Sequence, residues 1–166
     1  MPENSEVVSG IILTPAGRFV FLPPADWNLQ VKSRDKTLIF QGTELGLVLT
    51  MILDPGQTNL PAFSATQEWE SLARNNEDPA GWTLTPRGVF WADGLVGHGF
   101  DLVRATPGKP KFLKRRVFCS SPAGLMRFEL AGHPDSVEKH HPLLASLVGS
   151  LRFEAPLEKA APPPSP

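Results

Sequence analysis

Residues 96 to 130 of this 166-residue chain decide the fold, and they read VGHGFDLVRATPGKPKFLKRRVFCSSPAGLMRFEL. The stretch contains runs of strand-forming residues, separated by turns that are rich in proline and glycine. Because turns this short join strands that run in opposite directions, the stretch predicts an antiparallel meander. Its three predicted strands are Val96–Arg104, Lys111–Ser120 and Leu125–Leu130.

Strand patterns continue towards the N-terminus. Apolar and polar residues alternate from Trp27 to Lys32, as a half-buried strand requires, and Thr37–Gln41 is rich in strand formers. Every second residue from Leu45 to Leu53 is apolar, and Val48 and Ile52 lie on the other face. This strand is therefore expected to be covered in part on both faces. Two shorter strand patterns cover Trp82–Thr85 and Val89–Trp91.

Two segments have a helical period instead. In Ser64–Asn76, Ser64 and Gln67 fit a capping box, and apolar residues follow at helical spacing. A second helix is predicted from Pro142, because proline suits the first position of a helix. We expect a turn at Pro134 and a final extended piece at Ser150–Phe153. The fold class predicted is α+β, a mostly antiparallel β-sheet with two helices packed on it.

The size of the chain favours a single domain. A chain of 18.1 kDa is expected to bury about 69% of its unfolded surface when it folds. It can therefore form a core without a metal or a disulfide. We expect a flexible N-terminus at residues 1–10, one domain at 11–154 and a disordered proline-rich tail at 155–166.

Composition excludes several classes of protein. The net charge of −1 gives no overall attraction to nucleic acid or anionic membranes, and no apolar run reaches the roughly 18 residues of a membrane span. No signal-peptide pattern precedes Ile11, which favours a soluble, cytoplasmic protein.

The order of elements resembles the PsbP-like fold superfamily. Phe21, Pro24 and Trp27 match the F-x-x-P-x-x-W opening of that family, and Arg115–Phe118 matches its basic–aromatic strand. The ending Ser150–Phe153 is similar to the family's S-F-R-F sequence. The resemblance covers Ile11 to Phe153 and implies an α/β/α sandwich of the bacterial, uncharacterised or small chaperone-like branch. It also implies a non-catalytic binding or assembly role, because most members of the family have one.

Charge is unevenly distributed along the chain. Residues 44–101 contain eight acids and two bases, whereas residues 102–128 contain seven bases and no acid. The run Lys111, Lys114, Arg115 and Arg116 predicts a docking patch for an acidic or mixed partner segment. The alternative is that these bases pair with neighbouring acids or protect a sheet edge. A nucleic-acid site is not expected, because alternation places Phe112 and Phe118 largely in the core.

No catalytic or metal-binding constellation is recognisable. Cys119 lies inside a strand pattern and is expected to be an inert buried thiol. The adjacent His140 and His141 match no usual metal site, and the glycines around His98 match no phosphate-binding loop. Close approach of a neighbouring strand explains those glycines better. We therefore expect no enzyme activity, no metal and no cofactor.

Two functions remain open from the sequence. The first is a protein-binding or chaperone-like module that docks a partner on its sheet face and basic hairpin, with Trp91 as an apolar anchor. The second is a carrier that holds an apolar small molecule between the curved sheet and the first helix. A homodimer formed through an exposed sheet edge is compatible with either function.

Overall fold

The computed structural model describes residues 10–25, 27–32, 37–42, 46–54, 81–91, 95–104 and 107–156. The helix predicted at Ser64–Asn76 lies outside these residues. So do residues 1–9 and most of the predicted tail, residues 157–166.

Two sheets and two helices are formed by the described residues. In chain order the elements are β1 (Gly10–Thr14), β2 (Gly17–Phe21), β3 (Asn28–Lys32), β4 (Thr37–Gln41), β5 (Val48–Asp54), β6 (Thr83–Trp91), β7 (Val96–Arg104), β8 (Phe112–Ser121), β9 (Gly124–Gly132), α1 (Pro134–Lys139), α2 (His141–Ser150) and β10 (Arg152–Glu154). The mostly antiparallel α+β class is confirmed.

The larger sheet has seven strands in the order β3-β4-β5-β9-β8-β7-β6, and every neighbouring pair is antiparallel. The predicted meander is confirmed as β7, β8 and β9. The pairing of β5 with β9 joins the meander to the N-terminal strands, with Met51 opposite Phe128. This long-range pair places β5 and β9 at the centre of the sheet.

As its apolar alternation predicts, β5 is covered on one face and partly covered on the other. Leu49, Met51 and Leu53 are buried on one face, and Val48 and Ile52 are half-buried on the other. The first face continues across β9 and β8 through residues such as Phe128 and Val117, and with the buried residues of both helices it forms the main core. The sheet therefore carries its core on the side where α1 and α2 pack.

The smaller sheet was not predicted. Its order is β1-β2-β10, so the end of the chain returns to pair with the first hairpin. Phe19 and Phe153 meet edge-to-face, with their ring centroids 5.1 Å apart. Ser150 also receives a hydrogen bond from the backbone N–H of Leu22 at 2.9 Å. The strand that closes this sheet is β10, so the extended piece predicted at Ser150–Phe153 starts two residues later than expected, because Ser150 still belongs to α2.

A helix occupies the position where we expected a turn. His133 is the N-cap of α1, because its Nδ1 accepts a hydrogen bond from the backbone N–H of Asp135. Pro134 follows at the first helical position, and Val137 is buried in the core. A single buried residue in six is too short a pattern to show a helical period. The second helix begins at His141, one residue before the predicted start at Pro142.

Two of the predicted strands are one strand in the structure. The patterns at Trp82–Thr85 and Val89–Trp91 join in β6, which pairs with β7 along its length. The register shifts between Pro86 and Gly88, and this bulge accounts for the break in the alternation.

The expectation of a half-buried strand at residues 27–32 is wrong for two of its apolar residues. Leu29 and Val31 are 48% and 60% exposed. The reason is topological, because β3 is an edge strand of the larger sheet. Trp27, which precedes β3, does contact the core and meets the His140 ring edge-to-face.

Close approach of neighbours explains the glycines of β7, as expected. A Cβ at Gly97 would lie 2.8 Å from Cγ1 of Val117, and a Cβ at Gly99 would collide with the ring of Phe90. The space above both glycines is thus filled by core side chains. Glycine is required at these two positions because of packing and not because of backbone conformation.

Substituting Gly99→Ala tests this packing. The added methyl group must displace the Phe90 ring, so we expect the free energy of unfolding to fall by about 1 to 3 kcal/mol. The measurement is urea denaturation followed by circular dichroism. Gly149→Ala in α2 is the matched control, since its Cβ would meet only the Trp91 carbonyl oxygen at 3.6 Å. That variant should be as stable as the parent or more stable, and equal losses in both variants would contradict the explanation.

Candidate functional site

Arg115, one of the four predicted basic docking residues, lies in the interior. Its exposed fraction is 0%, and it is the largest fully buried side chain among the described residues. It projects from β8 on the same face as Leu113 and Val117, which is the face covered by the helices. A charged group in this position requires partners, because burial without them costs many kcal/mol.

Three elements supply the groups that surround the Arg115 guanidinium. Asp101 on β7 accepts two hydrogen bonds in a parallel fork, from Nε at 2.8 Å and from Nη2 at 3.0 Å. Glu138 on α1 accepts a third bond from Nη2 at 2.6 Å, and Nδ1 of His141 on α2 lies 3.0 Å from Nη1. We call Asp101, Arg115, Glu138 and His141 the interior charge cluster. It joins two strands of the sheet to both helices.

The cluster determines the tautomer of His141. A guanidinium can only donate hydrogen bonds, so Nδ1 of His141 must accept, and the proton of the neutral ring lies on Nε2. Burial, together with the nearby positive charges of Arg115 and Arg87, lowers the pKa of His141. The hydrogen bond from Arg115 lowers the pKa of Glu138. The lowered pKa values favour a neutral His141 ring and an ionised Glu138 carboxylate, which are the states that the hydrogen bonds with Arg115 require.

Arg116 is also buried, on the opposite face of β8. Its Nε donates to Glu129 on the neighbouring strand β9, with 2.5 Å between the nitrogen and the oxygen. The two residues face each other across the register of the sheet. Arg115 and Arg116 thus follow the alternative left open by the sequence, in which the bases pair with neighbouring acids. An exposed basic patch that includes them is not what the structure contains.

The two lysines and Arg104 lie at one end of the hairpin formed by β7 and β8. Lys111 is exposed, and Nζ of the half-buried Lys114 lies 4.8 Å from the centroid of the Trp82 ring. The Arg104 guanidinium lies 5.7 Å from the Trp82 ring and 5.4 Å from the Phe112 ring. Exposed Lys109 lies in the connecting turn. We call this group the basic–aromatic patch, and its members are Trp82, Arg104, Lys109, Lys111, Phe112 and Lys114.

The expectation that Phe112 and Phe118 both lie in the core holds for one of them. Phe118 is buried, whereas Phe112 is half-buried and meets the Trp82 ring edge-to-face, with centroids 6.1 Å apart. Phe112 is close to the end of β8, where fewer neighbours cover it. Trp82, which the sequence analysis did not single out as a site residue, supplies the second ring.

Trp91 lies far from the lysines with which it was grouped. It is the last residue of β6, is 74% exposed and pairs with Val96 at the start of β7. Arg104 at the other end of β7, which pairs with Phe112 of β8, marks the position of the basic–aromatic patch. Eight residues of strand separate the two ends, which corresponds to about 26 Å. Trp91 and the patch are therefore two separate surfaces.

The remaining candidates have structural roles. Burial raises the pKa of the Cys119 thiol to about 12, so the thiol is protonated and inert, as expected. His140 donates from Nδ1 to the backbone oxygen of Ser136 at 2.9 Å, while its neighbour His141 accepts from Arg115. Within the part of the chain that the structure describes, no three His, Cys, Asp or Glu residues group as a metal site would require.

The clefts lined by described residues lie at the surface. One of about 550 Å³ lies beside Leu13, Arg18 and Glu154 at the end of the smaller sheet. A second, of about 320 Å³, lies between β6 and α2 and is lined by Trp91, His141 and neighbouring residues. The cavity of the carrier hypothesis was expected between the curved sheet and the helix predicted at Ser64–Asn76, which lies outside the described residues. None of the described helices has the length and apolarity needed to cross a membrane.

The architecture is that of the PsbP-like fold. A solution structure of cyanobacterial PsbP (CyanoP) from Synechocystis sp. PCC 6803 superimposes with a TM-score of 0.60 at 13% identity, covering 93% of this chain and 97% of that one. LpqN, described as involved in cell envelope biogenesis of Mycobacterium tuberculosis, gives a TM-score of 0.51 at 13% identity, covering 90% and 91%. The fold implied by the sequence resemblance is thus confirmed.

Comparison of sequences adds nothing to this likeness. No protein-family model matches the chain, and no curated protein matches it.

Removing the centre of the interior charge cluster should destabilise the fold. Arg115→Met leaves Asp101 buried without its fork, so we expect the free energy of unfolding to fall by about 3 to 5 kcal/mol. The measurement is chemical denaturation at pH 7. Lys111→Met, four residues away and exposed, is the matched control and should change stability by less than about 0.5 kcal/mol. Equal stability of the two variants would show that Arg115 is not held as described.

The cluster also predicts how stability depends on pH. Because the pKa of His141 is lowered in the fold, the unfolded chain takes up the proton first, and stability falls as the pH decreases below about 6.5. His98, whose pKa is lowered by burial, adds to this loss. The lowered pKa of Glu138 adds a further loss below about 4.5.

The variant His141→Asn isolates the contribution of one residue. Its amide oxygen can still accept from Arg115 but does not titrate. Thermal unfolding measured from pH 8 to pH 5 should therefore show a smaller decrease in the variant than in the parent. Parallel pH profiles would contradict the assignment of His141 as a neutral acceptor.

Proposed function

We propose that this chain is a non-catalytic, chaperone-like protein-binding module whose docking surface is the basic–aromatic patch. The observation that carries the proposal is that Arg104 and Lys114 lie against the rings of Trp82 and Phe112 at the surface. Such an arrangement offers positive charge and apolar area at one place. It suits a partner segment that combines carboxylates with apolar side chains.

Three positive charges of the patch, those of Arg104, Lys109 and Lys111, are proposed to be available to a partner. In the described parts of the chain, Arg104, Lys109 and Lys111 form no ion pair. Arg104 is oriented by a hydrogen bond from Nη2 to the backbone oxygen of Pro110 at 3.3 Å, which ties the turn to β7. Positive charge concentrated on one turn attracts an acidic segment and speeds its encounter with the rings.

A non-catalytic role is supported by the state of the titratable groups. Among the described histidines, His141 both lines a cleft and belongs to the interior charge cluster. It cannot act as a base at Nδ1, which accepts from Arg115, or at Nε2, which carries the proton. The Cys119 thiol is buried and protonated. We therefore assign His141 and Cys119 to the stability of the fold and not to catalysis.

Trp91 is proposed as a second, apolar contact. Val89 and Val96, both exposed, lie on the same face and extend its apolar surface. Because about 26 Å separates Trp91 from the patch, a partner that touches both must run along the β6–β7 hairpin.

Charge reversal at the patch tests the proposal. For the variant Lys111→Glu/Lys114→Glu, binding of a labelled peptide of alternating Glu and Leu should weaken at least about tenfold, since two attractions become repulsions. Fluorescence anisotropy at two salt concentrations measures the affinity, which should also fall with salt in the parent protein. Stability should change little, because both lysines reach the surface.

Lys139→Glu/Arg152→Glu is the matched control, since it makes the same change in net charge at exposed residues elsewhere. It should keep the parent affinity. Equal weakening in both variants, or tighter binding of a single-stranded oligonucleotide than of the peptide, would contradict docking of an acidic protein segment at this patch.

A further inference from the structure

The two edges of the larger sheet are built differently. An edge strand presents unpaired backbone N–H and C=O groups, which invite pairing with another strand unless something interferes. At the β6 edge, Pro86 has no backbone N–H to donate, and the register shifts between Pro86 and Gly88. Both features oppose the addition of a further strand along β6.

The β3 edge has neither feature. Asn28–Lys32 pairs with β4 over all five residues without a register shift, and it contains no proline. Residues 28 to 31 are all exposed, and its apolar side chains, Leu29 and Val31, lie on the same face as the core residues Phe40 and Met51. This edge is therefore regular and apolar on one face, and none of the described strands pairs with its outer side.

The smaller sheet offers a weaker edge. Its strand β1 also exposes Ile11 and Leu13, but it begins with Gly10 and belongs to a sheet of three strands. Glycine weakens a strand, and a short sheet gives less support to an added one. Of the described edges, β3 is thus the best suited to pairing.

We propose that β3 pairs antiparallel with β3 of a second copy of this chain, so that the two larger sheets become continuous. The sequence is self-complementary in a register centred on Gln30. Leu29 of each copy then faces Val31 of the other, and Asn28 faces Lys32. Apolar residues meet apolar residues on the core side, and no like charges face each other.

The self-complementary pattern of apolar and charged residues in β3 favours a second copy of this chain over an unrelated strand. The only charged residue of β3 is Lys32, and the register places it opposite a neutral amide. A symmetric pairing covers both exposed apolar residues of each copy in one step. Five residues form only about 17 Å of paired strand, so the interface is small and the dimer should be weak, with a dissociation constant in the micromolar range or above.

Disulfide trapping of the full chain tests the register. In Gln30→Cys the two cysteines lie directly opposite, within the range of Cα separations that a disulfide spans. In Asn28→Cys, the matched control, four residues of offset place them about 13 Å apart. Under mild oxidation we expect the first variant to form a covalent dimer at least about tenfold faster than the second. Buried Cys119 should not interfere.

Sedimentation equilibrium of the parent protein from about 1 µM to about 1 mM measures the dimer without a cross-link. Val31→Lys should weaken it at least about tenfold, whereas Val89→Lys, at an exposed residue of the β6 edge, should not. Circular dichroism confirms that both variants fold. A parent that stays monomeric, equal trapping at positions 28 and 30, or a monomer whose β3 edge instead captures an extended peptide would overturn the proposal.

Discussion

The structure depends on a buried guanidinium. Arg115 lies on the helix-covered face of the sheet, and the N–H groups of its planar guanidinium donate hydrogen bonds to Asp101, Glu138 and His141. Removing a cation from water costs several kcal/mol, which only well-placed partners can offset. Because those partners come from β7, α1 and α2, the position of the helices on the sheet is coupled to the charge.

Because of this constraint, neighbouring residues of one basic run have different roles, some in the fold and some in the proposed binding surface. Neighbouring residues of a strand point to opposite faces, so Arg115 enters the core side while Lys114 and Arg116 lie on the other. Arg116 is held by Glu129, and Lys114 lies against Trp82. A single stretch of positive charge thus supplies an interior tie, a cross-strand pair and part of a surface patch.

Much of this fold could be predicted from sequence, because strand alternation is a local signal. The strands of the meander and the buried face of β5 follow directly from it. The first hairpin was missed because its stabilising contacts are not local, and α1 was missed because one buried residue in six shows no helical period. Phe19 packs on Phe153, which is far away in sequence, and α1 depends on its cap at His133.

The candidate site was harder to predict for the same reason. A signal for the interior position of Arg115 did exist, since it alternates with Leu113 and Val117, and Asp101 occupies the matching place between Gly99 and Val103. Their pairing depends on the register of β7 and β8, which the sequence of either strand alone does not specify. The separation of Trp91 from Lys111 is likewise a consequence of strand length and hairpin topology.

Hydrogen exchange of an Arg115→Lys variant tests directly whether the buried guanidinium joins the helices to the sheet. Lysine keeps the charge but lacks the planar fork, so it cannot hold Asp101, Glu138 and His141 together. We expect the amides of α1 and α2 to exchange at least about tenfold faster, while those of β5 and β9 keep more of their protection. Unchanged protection of both helices would contradict the claim that the buried guanidinium joins them to the sheet.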